Sequence, residues 1–313
     1  YLNELSGVPK VQENTVEIIK STKVLRKRYG RVYINVGEPI VMQDYLAAQD
    51  KPMEQMTLDE RQSLYRKIGY ETVLEINKVS MVTPFALVAS GLLSHDRRGI
   101  SREELSGILN EFYEYLSTRQ VKFAATFAHR DKAIADALNI FHATDIISRI
   151  EAAEEEEEMQ EVVYSLPDAK RLNLEYYKNN ILHFFIPICF VATSMMKNNE
   201  DAMSLAKIMG DYKFLKWLLW NEFIFDETRD DVQEVDEALT YLHARSMIVT
   251  AERDGEVWIE IKSRGGAKLK PFAGLIHNYL ESCWIVIRSM VYLKKKPLAQ
   301  KEWLAKIRPL GDR

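Results

Sequence analysis

A chain of 313 residues, 47% of them apolar, holds material for two or three packed domains, and its net charge of −4 excludes a general polyanion binder. The charge is uneven: residues 1–40 carry seven Lys and Arg against four Asp and Glu, residues 262–313 carry twelve against three, and the middle holds an acidic excess of 16. Two cysteines, Cys189 and Cys283, both in apolar runs, read as buried thiols of a reducing compartment and exclude a disulfide framework.

Tyr1-Leu2-Asn3-Glu4 begins no apolar leader, so no signal peptide is expected. Residues 1–13 are turn-like around Ser6-Gly7-Val8-Pro9-Lys10. Asn14 with Glu17 three residues on predicts a helix start, with the helix running to Tyr29 and stopping at Gly30. Arg31-Val32-Tyr33-Ile34-Asn35-Val36 alternates and is rich in β-branched residues, which predicts a strand ended by Gly37-Glu38-Pro39. A basic helix feeding a strand reads as the tail of an α/β domain, over residues 1–50. Residues 41–60 are a connection, and helix resumes from about Leu58 to Asn77.

From Thr83 onward the chain repeats itself. Ala137-Leu138-Asn139-Ile140-Phe141-His142-Ala143 aligns with Ala238-Leu239-Thr240-Tyr241-Leu242-His243-Ala244, and Thr83-Pro84-Phe85-Ala86 resembles Ile186-Pro187-Ile188-Cys189. Each unit reads as a helix, a polar turn, a second helix (Ser101 to Leu116; Glu200 to Trp217), a third helix and a β-hairpin. Arg253-Asp254-Gly255-Glu256 is the clearer hairpin turn. The other hairpin has an acidic tip, Glu151 and Glu154 to Glu158, which reads as a solvated loop. Three helices and a hairpin follow the plan of a winged helix. The acidic middle nevertheless argues against nucleic acid as a partner, because duplex binding needs a basic face. His142 and His243, at equivalent positions, read as packing or capping residues.

Between the units, Tyr176 to Pro187 runs two tyrosines, two asparagines and a histidine into the apolar segment Ile181 to Met196. That segment is shorter than the ~18–20 residues that span a bilayer. A helix apolar nearly all round must be buried, so its polar first turns need partners inside. Tyr177, Asn179, Asn180 and His183 are therefore expected to form a structural polar network. Pro271 to Leu293 reads as one long apolar helix ending in Lys294-Lys295-Lys296, followed by an amphipathic stretch, Leu298 to Ile307. Trp284, Lys294, Lys295 and Lys296 are candidates for contact with an anionic membrane surface.

There is no G-x-S-x-G, P-loop, H-E-x-x-H, paired C-x-x-C or G-x-G-x-x-G, so neither a metal nor a cofactor is expected. No histidine has an aspartate five positions on. Residue chemistry alone gives no catalytic residue.

Leu5-Ser6-Gly7-Val8-Pro9-Lys10, Tyr33-Ile34-Asn35-Val36-Gly37-Glu38-Pro39-Ile40, Thr83 to Leu93, Val257 to Met290 and above all Tyr176-Tyr177-Lys178-Asn179-Asn180-Ile181-Leu182-His183 resemble the membrane-associated glycerol-3-phosphate acyltransferases, in the same order. The resemblance implies acyl transfer from acyl-CoA or acyl carrier protein to the 1-hydroxyl of glycerol 3-phosphate. In that family a histidine of an H-x4-D motif is the general base. This chain lacks the motif and resembles only the region after the catalytic blocks, so no catalytic residue is carried over. The expected fold is mainly α with small β: the tail of an α/β acyltransferase domain (1–50), winged-helix-like units at 58–170 and 171–262, and basic C-terminal helices at 263–313. The implied partners are the N-terminal catalytic domain, an anionic membrane surface on its cytoplasmic face and acyl carrier protein. Dihydroxyacetone-phosphate acyl transfer and a non-enzymatic tandem winged-helix module stay open as alternatives.

Overall fold

The computed structural model describes residues 31–95, 97–151, 162–197, 202–295 and 297–311. The turn expected at 1–13, the helix at 14–29 with its Gly30 stop, and the acidic tip at 154–158 lie outside them. The described chain begins extended, then forms α1 (Met42–Ala47), a 3-10 turn (Met53–Gln55) and α2 (Leu58–Val79). A capping box starts α2: the Thr57 hydroxyl accepts the Glu60 N–H at 3.3 Å, and the Glu60 carboxylate accepts the Thr57 N–H at 2.7 Å. Only Leu64 of α2 is buried, so this helix rides on the surface.

Two units follow. The first is α3 (Pro84–Leu93), β1 (Gly99–Ser101), α4 (Arg102–Thr118), α5 (Arg130–Ala143), β2 (Ser148–Glu151), β3 (Val162–Ser165) and α6 (Asp168–Asn179). The second repeats the order with α7 (Ile186–Met196), β4 (Ala202–Ser204), α8 (Leu205–Leu218), α9 (Asp231–Ala244), β5 (Ile248–Arg253), β6 (Glu256–Ile261) and α10 (Gly265–Gly274). Each sheet is antiparallel with its last strand in the middle, β1-β3-β2 and β4-β6-β5. The short strands β1 and β4 stand where the sequence reads only a polar turn.

The correspondence extends to the caps. Ser101 and Ser204 each accept the backbone N–H three residues on, opening α4 and α8. Asp145 and Ser246, just past α5 and α9, both turn left-handed, with φ of 58° and 56°. His142 and His243 lie in the last turns of those two helices, and the His142 ring meets the Ile147 carbonyl at 3.3 Å. After each hairpin a helix packs back on the first: α6 on α3, and α10 on α7. The sequence boundary at 170 thus falls inside α6, a helix that packs with the first unit.

One apolar core joins the units. Helices α3 and α7 are buried on almost every side, as their composition demands. Phe112 meets Phe185 and Phe272 at ring separations of 5.0 Å, and Tyr115 meets the same two at 5.6 and 5.7 Å.

Three sequence expectations need correction. Residues 31–36 are not a strand: no strand lies beside them among the described residues, and a strand exists only by pairing. Their alternation survives, with Tyr33 and Asn35 turned onto the protein while Val32, Ile34 and Val36 are 87%, 84% and 89% exposed. The single helix expected over 271–293 is broken into α10, α11 (His277–Ser289) and α12 (Val291–Lys295), with α13 (Gln300–Gly311) beyond. The break at Leu275–Ile276 lets α10 enter the core; both residues are fully buried, and a Cβ on Gly274 would stand 1.9 Å from the Ser94 carbonyl oxygen. Tyr176 to Pro187 is likewise not one helix: α6 ends at Asn179, Leu182–Phe184 is a 3-10 turn, and Pro187 sits in the first turn of α7. The polar string is thus not the first turns of the apolar helix α7.

Candidate functional site

Two clefts occupy corresponding places in the repeat, each between the start of a unit's first helix and the segment leading into its third. The second holds about 320 Å³, between the start of α7, the loop 224–229 and the end of α2. The first holds about 900 Å³, between the start of α3, the 3-10 turn Ala125–His129, the face of α5 and the extended segment 31–35. Each receives a tyrosine hydroxyl from the N-terminal part of the chain. In the second cleft, Tyr70 of α2 donates to the Phe225 carbonyl at 2.7 Å and accepts the Phe225 N–H at 2.8 Å. In the first, Tyr33 donates to the Thr126 hydroxyl at 3.3 Å, and Asn35 donates to the Val79 carbonyl at 2.8 Å.

The Tyr176 to His183 string divides between cleft and core. Tyr176, Tyr177 and Asn180 line the larger cleft. Tyr177 lies against Phe85 and Phe141, at ring separations of 5.9 and 5.3 Å. The Asn179 amide oxygen accepts from the Tyr279 hydroxyl at 3.2 Å. Asn180 is exposed and makes no side-chain hydrogen bond among the described residues, so its expected place in a buried network is corrected. Helix α6 ends at Asn179, and Asn180, its C-cap with a backbone still in helical conformation, faces solvent as Asn179 does. His183 turns the other way, with Nε2–H donating to the Asn77 carbonyl at the end of α2 (3.2 Å). Burial pulls its imidazole down to about 4 against a weak opposing effect of that carbonyl. Tyr177, Asn179 and His183 meet three different sets of partners, Asn180 makes no side-chain hydrogen bond among the described residues, and the four form no single network.

The residue that the sequence reading passed over is Lys178. It is 1% exposed. Its ammonium donates to the Leu275 carbonyl (3.0 Å) and to Asn278 Oδ1 (3.2 Å), and pairs with Glu175 at 2.7 Å. Burial lowers its affinity for the proton, and the Glu175 carboxylate opposes that. One ammonium thus ties the last helix of the first unit to the α10–α11 break. The signal was available: Leu174 and Lys178 stand four apart on the buried stripe of α6.

A second charged joint links the units. The Glu111 carboxylate of α4 accepts two bonds from Arg245 at 3.0 Å and one from Lys268 at 2.8 Å. Burial works against its ionisation, but these bonds outweigh it and hold the carboxyl below its ordinary range.

The membrane-surface candidates are on the far helices. Trp284 of α11 is 55% exposed, with the Arg288 guanidinium over its ring at 5.0 Å. Ile287, Met290 and Val291 are also exposed, as is Lys294. The Lys295 side chain and Lys296 lie outside the described residues. Among the described residues no helix is long and apolar enough to cross a membrane, and no group of His, Cys, Asp or Glu is placed to hold a metal ion.

The fold and clefts define a class: an internally repeated, mainly helical module whose two units share a core and are tied by buried charged joints. Residues 1–313 match the family described as the glycerol-3-phosphate acyltransferase C-terminal region, and the chain belongs to that family. It is similar to the glycerol-3-phosphate acyltransferase of Aeromonas hydrophila, 26% identical over 83% of this chain and 31% of that protein. The Pasteurella multocida enzyme of the same name is 27% identical over 75% of this chain and 29% of its own length. That of Xylella fastidiosa is 28% identical over 76% and 28%. The chain thus spans under a third of the length of these relatives.

Proposed function

We propose that this chain is the C-terminal region of a glycerol-3-phosphate 1-O-acyltransferase, which moves an acyl group from acyl-CoA or acyl carrier protein to glycerol 3-phosphate to give lysophosphatidate. The chain itself contributes packing and no catalytic group. The observation that carries this reading is the segment 31–36: a strand-like alternation whose outward residues, Val32, Ile34 and Val36, are bare. Such a segment fits the edge of a sheet supplied by an α/β domain, the proposed catalytic part of the parent. The order of helices and strands supports reading each repeated unit as a winged-helix-like fold turned to packing.

The exposed apolar side of α11, with Arg288 and Lys294 beside it, supports a peripheral seat on the cytoplasmic face of an anionic membrane. Incubated alone with glycerol 3-phosphate and acyl-CoA, the chain is expected to form no lysophosphatidate. The full-length parent is expected to form it, and to lose most of this activity when Val32, Ile34 and Val36 become Lys. Lysophosphatidate made by the chain alone, or an unaffected parent variant, overturns the reading. A parent that prefers dihydroxyacetone phosphate changes the acceptor.

A further inference from the structure

The two clefts differ in how their charges are met. Of the four Lys and Arg along the second, three are matched: Lys78 with Glu75 at 2.6 Å, Arg119 with Glu237 at 3.1 Å, and Arg229 with Glu237 at 2.6 Å. In the first, Arg31 and Lys132 form no ion pair among the described residues, and Asp136 is the one carboxylate of the lining. His129 stands on the same wall as Lys132. Phe85, from the start of α3, and Tyr177, from the end of α6, present a stacked pair of rings, and Ile140 adds apolar surface on α5 two turns beyond Lys132. A volume of about 900 Å³ lies at the upper end of small-molecule sites. Two cations without ion-pair partners among the described residues, against one carboxylate in a partly apolar lining, give the cleft a field that favours anions.

We propose that the larger cleft binds an amphiphilic anion, a phosphate or carboxylate head at Arg31 and Lys132 with an aliphatic chain along Phe85, Tyr177 and Ile140. The smaller cleft has less than half the space and its own counter-charges, so it takes no such ligand. This inference does not depend on the catalytic reading, because it concerns binding by the chain itself.

The test is calorimetric titration of the full chain with decyl phosphate below its micelle threshold. Saturable binding of one equivalent is expected, with inorganic phosphate and decanol each about tenfold weaker or worse, because each carries half of the recognised chemistry. Arg31→Glu and Lys132→Glu should each weaken decyl phosphate severalfold. Ala125→Trp, at an exposed position of the wall, should block it, and Lys213→Glu, an exposed lysine of α8, should leave it unchanged. Thermal melting of each variant separates lost binding from lost folding. Phosphatidylcholine vesicles carrying phosphatidate then identify the source: competition marks a membrane lipid as the natural ligand, and none marks a free amphiphile. Unsaturable uptake, or equal binding by folded Lys132→Glu and Ala125→Trp, overturns the proposal.

Discussion

The two units have the same plan and put it to different ends. In the second, the loop before the third helix is pinned at both backbone atoms of Phe225 by Tyr70, and Trp220 stacks between Tyr70 and Phe225 at 6.4 and 5.5 Å. Its charged side chains are largely spent on each other. In the first, Tyr33 adds one long bond to a loop already tied to Val82 by two backbone bonds of 2.8 and 2.9 Å, and the cleft beside it stays nearly three times larger. A repeated fold supplies the same hollow twice, and the chain before the repeat decides whether it is filled. Helix α2, tied to the rest of the chain by its own hydrogen bonds, fills one. An extended segment with no strand beside it among the described residues leaves the other open.

The largest effect is expected where the units are joined. Lys178→Ala removes a fully buried ammonium and leaves Glu175, Asn278 and the Leu275 carbonyl without it. Orphaning a buried charge costs about 3–5 kcal/mol. Urea unfolding should show a single transition at much lower denaturant, because one core runs through both units. Two separate transitions would show that the units stand independently and that Lys178 serves only the first.

Next comes a pH effect confined to the second cleft. An unfolded histidine titrates near 6.5, whereas burial holds folded His183 at about 4. Between those values the unfolded chain binds the proton that the native chain refuses. The contribution of His183 is therefore complete above about pH 6.5 and is lost as pH falls toward 4, by up to about 3 kcal/mol. His183→Gln keeps an N–H to offer the Asn77 carbonyl and does not titrate. Subtracting its stability profile from that of the original chain should isolate this slope; parallel profiles would mean that the ring is solvated.

Much of this was legible in the sequence. The repeat, both hairpins, the buried character of α3 and α7 and the pairing of His142 with His243 followed from apolar periodicity and turn residues, which are local. What escaped was long-range. Tyr33 and Ile34 alternate as a strand does, but pairing depends on a neighbour that local sequence cannot supply. The long helix after Pro271 breaks because Gly274 must approach Ser94 and because Lys178 claims the Leu275 carbonyl, contacts across some hundred residues or more. Asn180 was misplaced because the polar string reads as the first turns of the buried helix, whereas it closes α6 with Asn179 and Asn180 both exposed, and the buried helix α7 starts only at Ile186. The larger cleft was invisible because Arg31, Lys132 and Tyr177 meet only once the units are folded.

The smallest effect tests the comparison most directly. Tyr70 and Tyr33 each send a hydroxyl to the loop before a third helix, so Tyr→Phe removes the same atom at corresponding places. Tyr70 gives up two bonds of 2.7 and 2.8 Å, both to backbone atoms of Phe225. Each is worth about 0.5–1.5 kcal/mol net, so Tyr70→Phe should cost about 1–2 kcal/mol with the stacking on Trp220 intact. Tyr33 gives up one bond of 3.3 Å to a hydroxyl that can turn to water, and Tyr33→Phe should cost about 0.5 kcal/mol or less. Chemical denaturation measures both, and Trp220 fluorescence reports whether the second loop has moved. Equal costs would mean that Tyr33 holds its loop as firmly as Tyr70 does. The first cleft would then be as built-in as the second, and its extra space would owe nothing to a weaker hold on its loop.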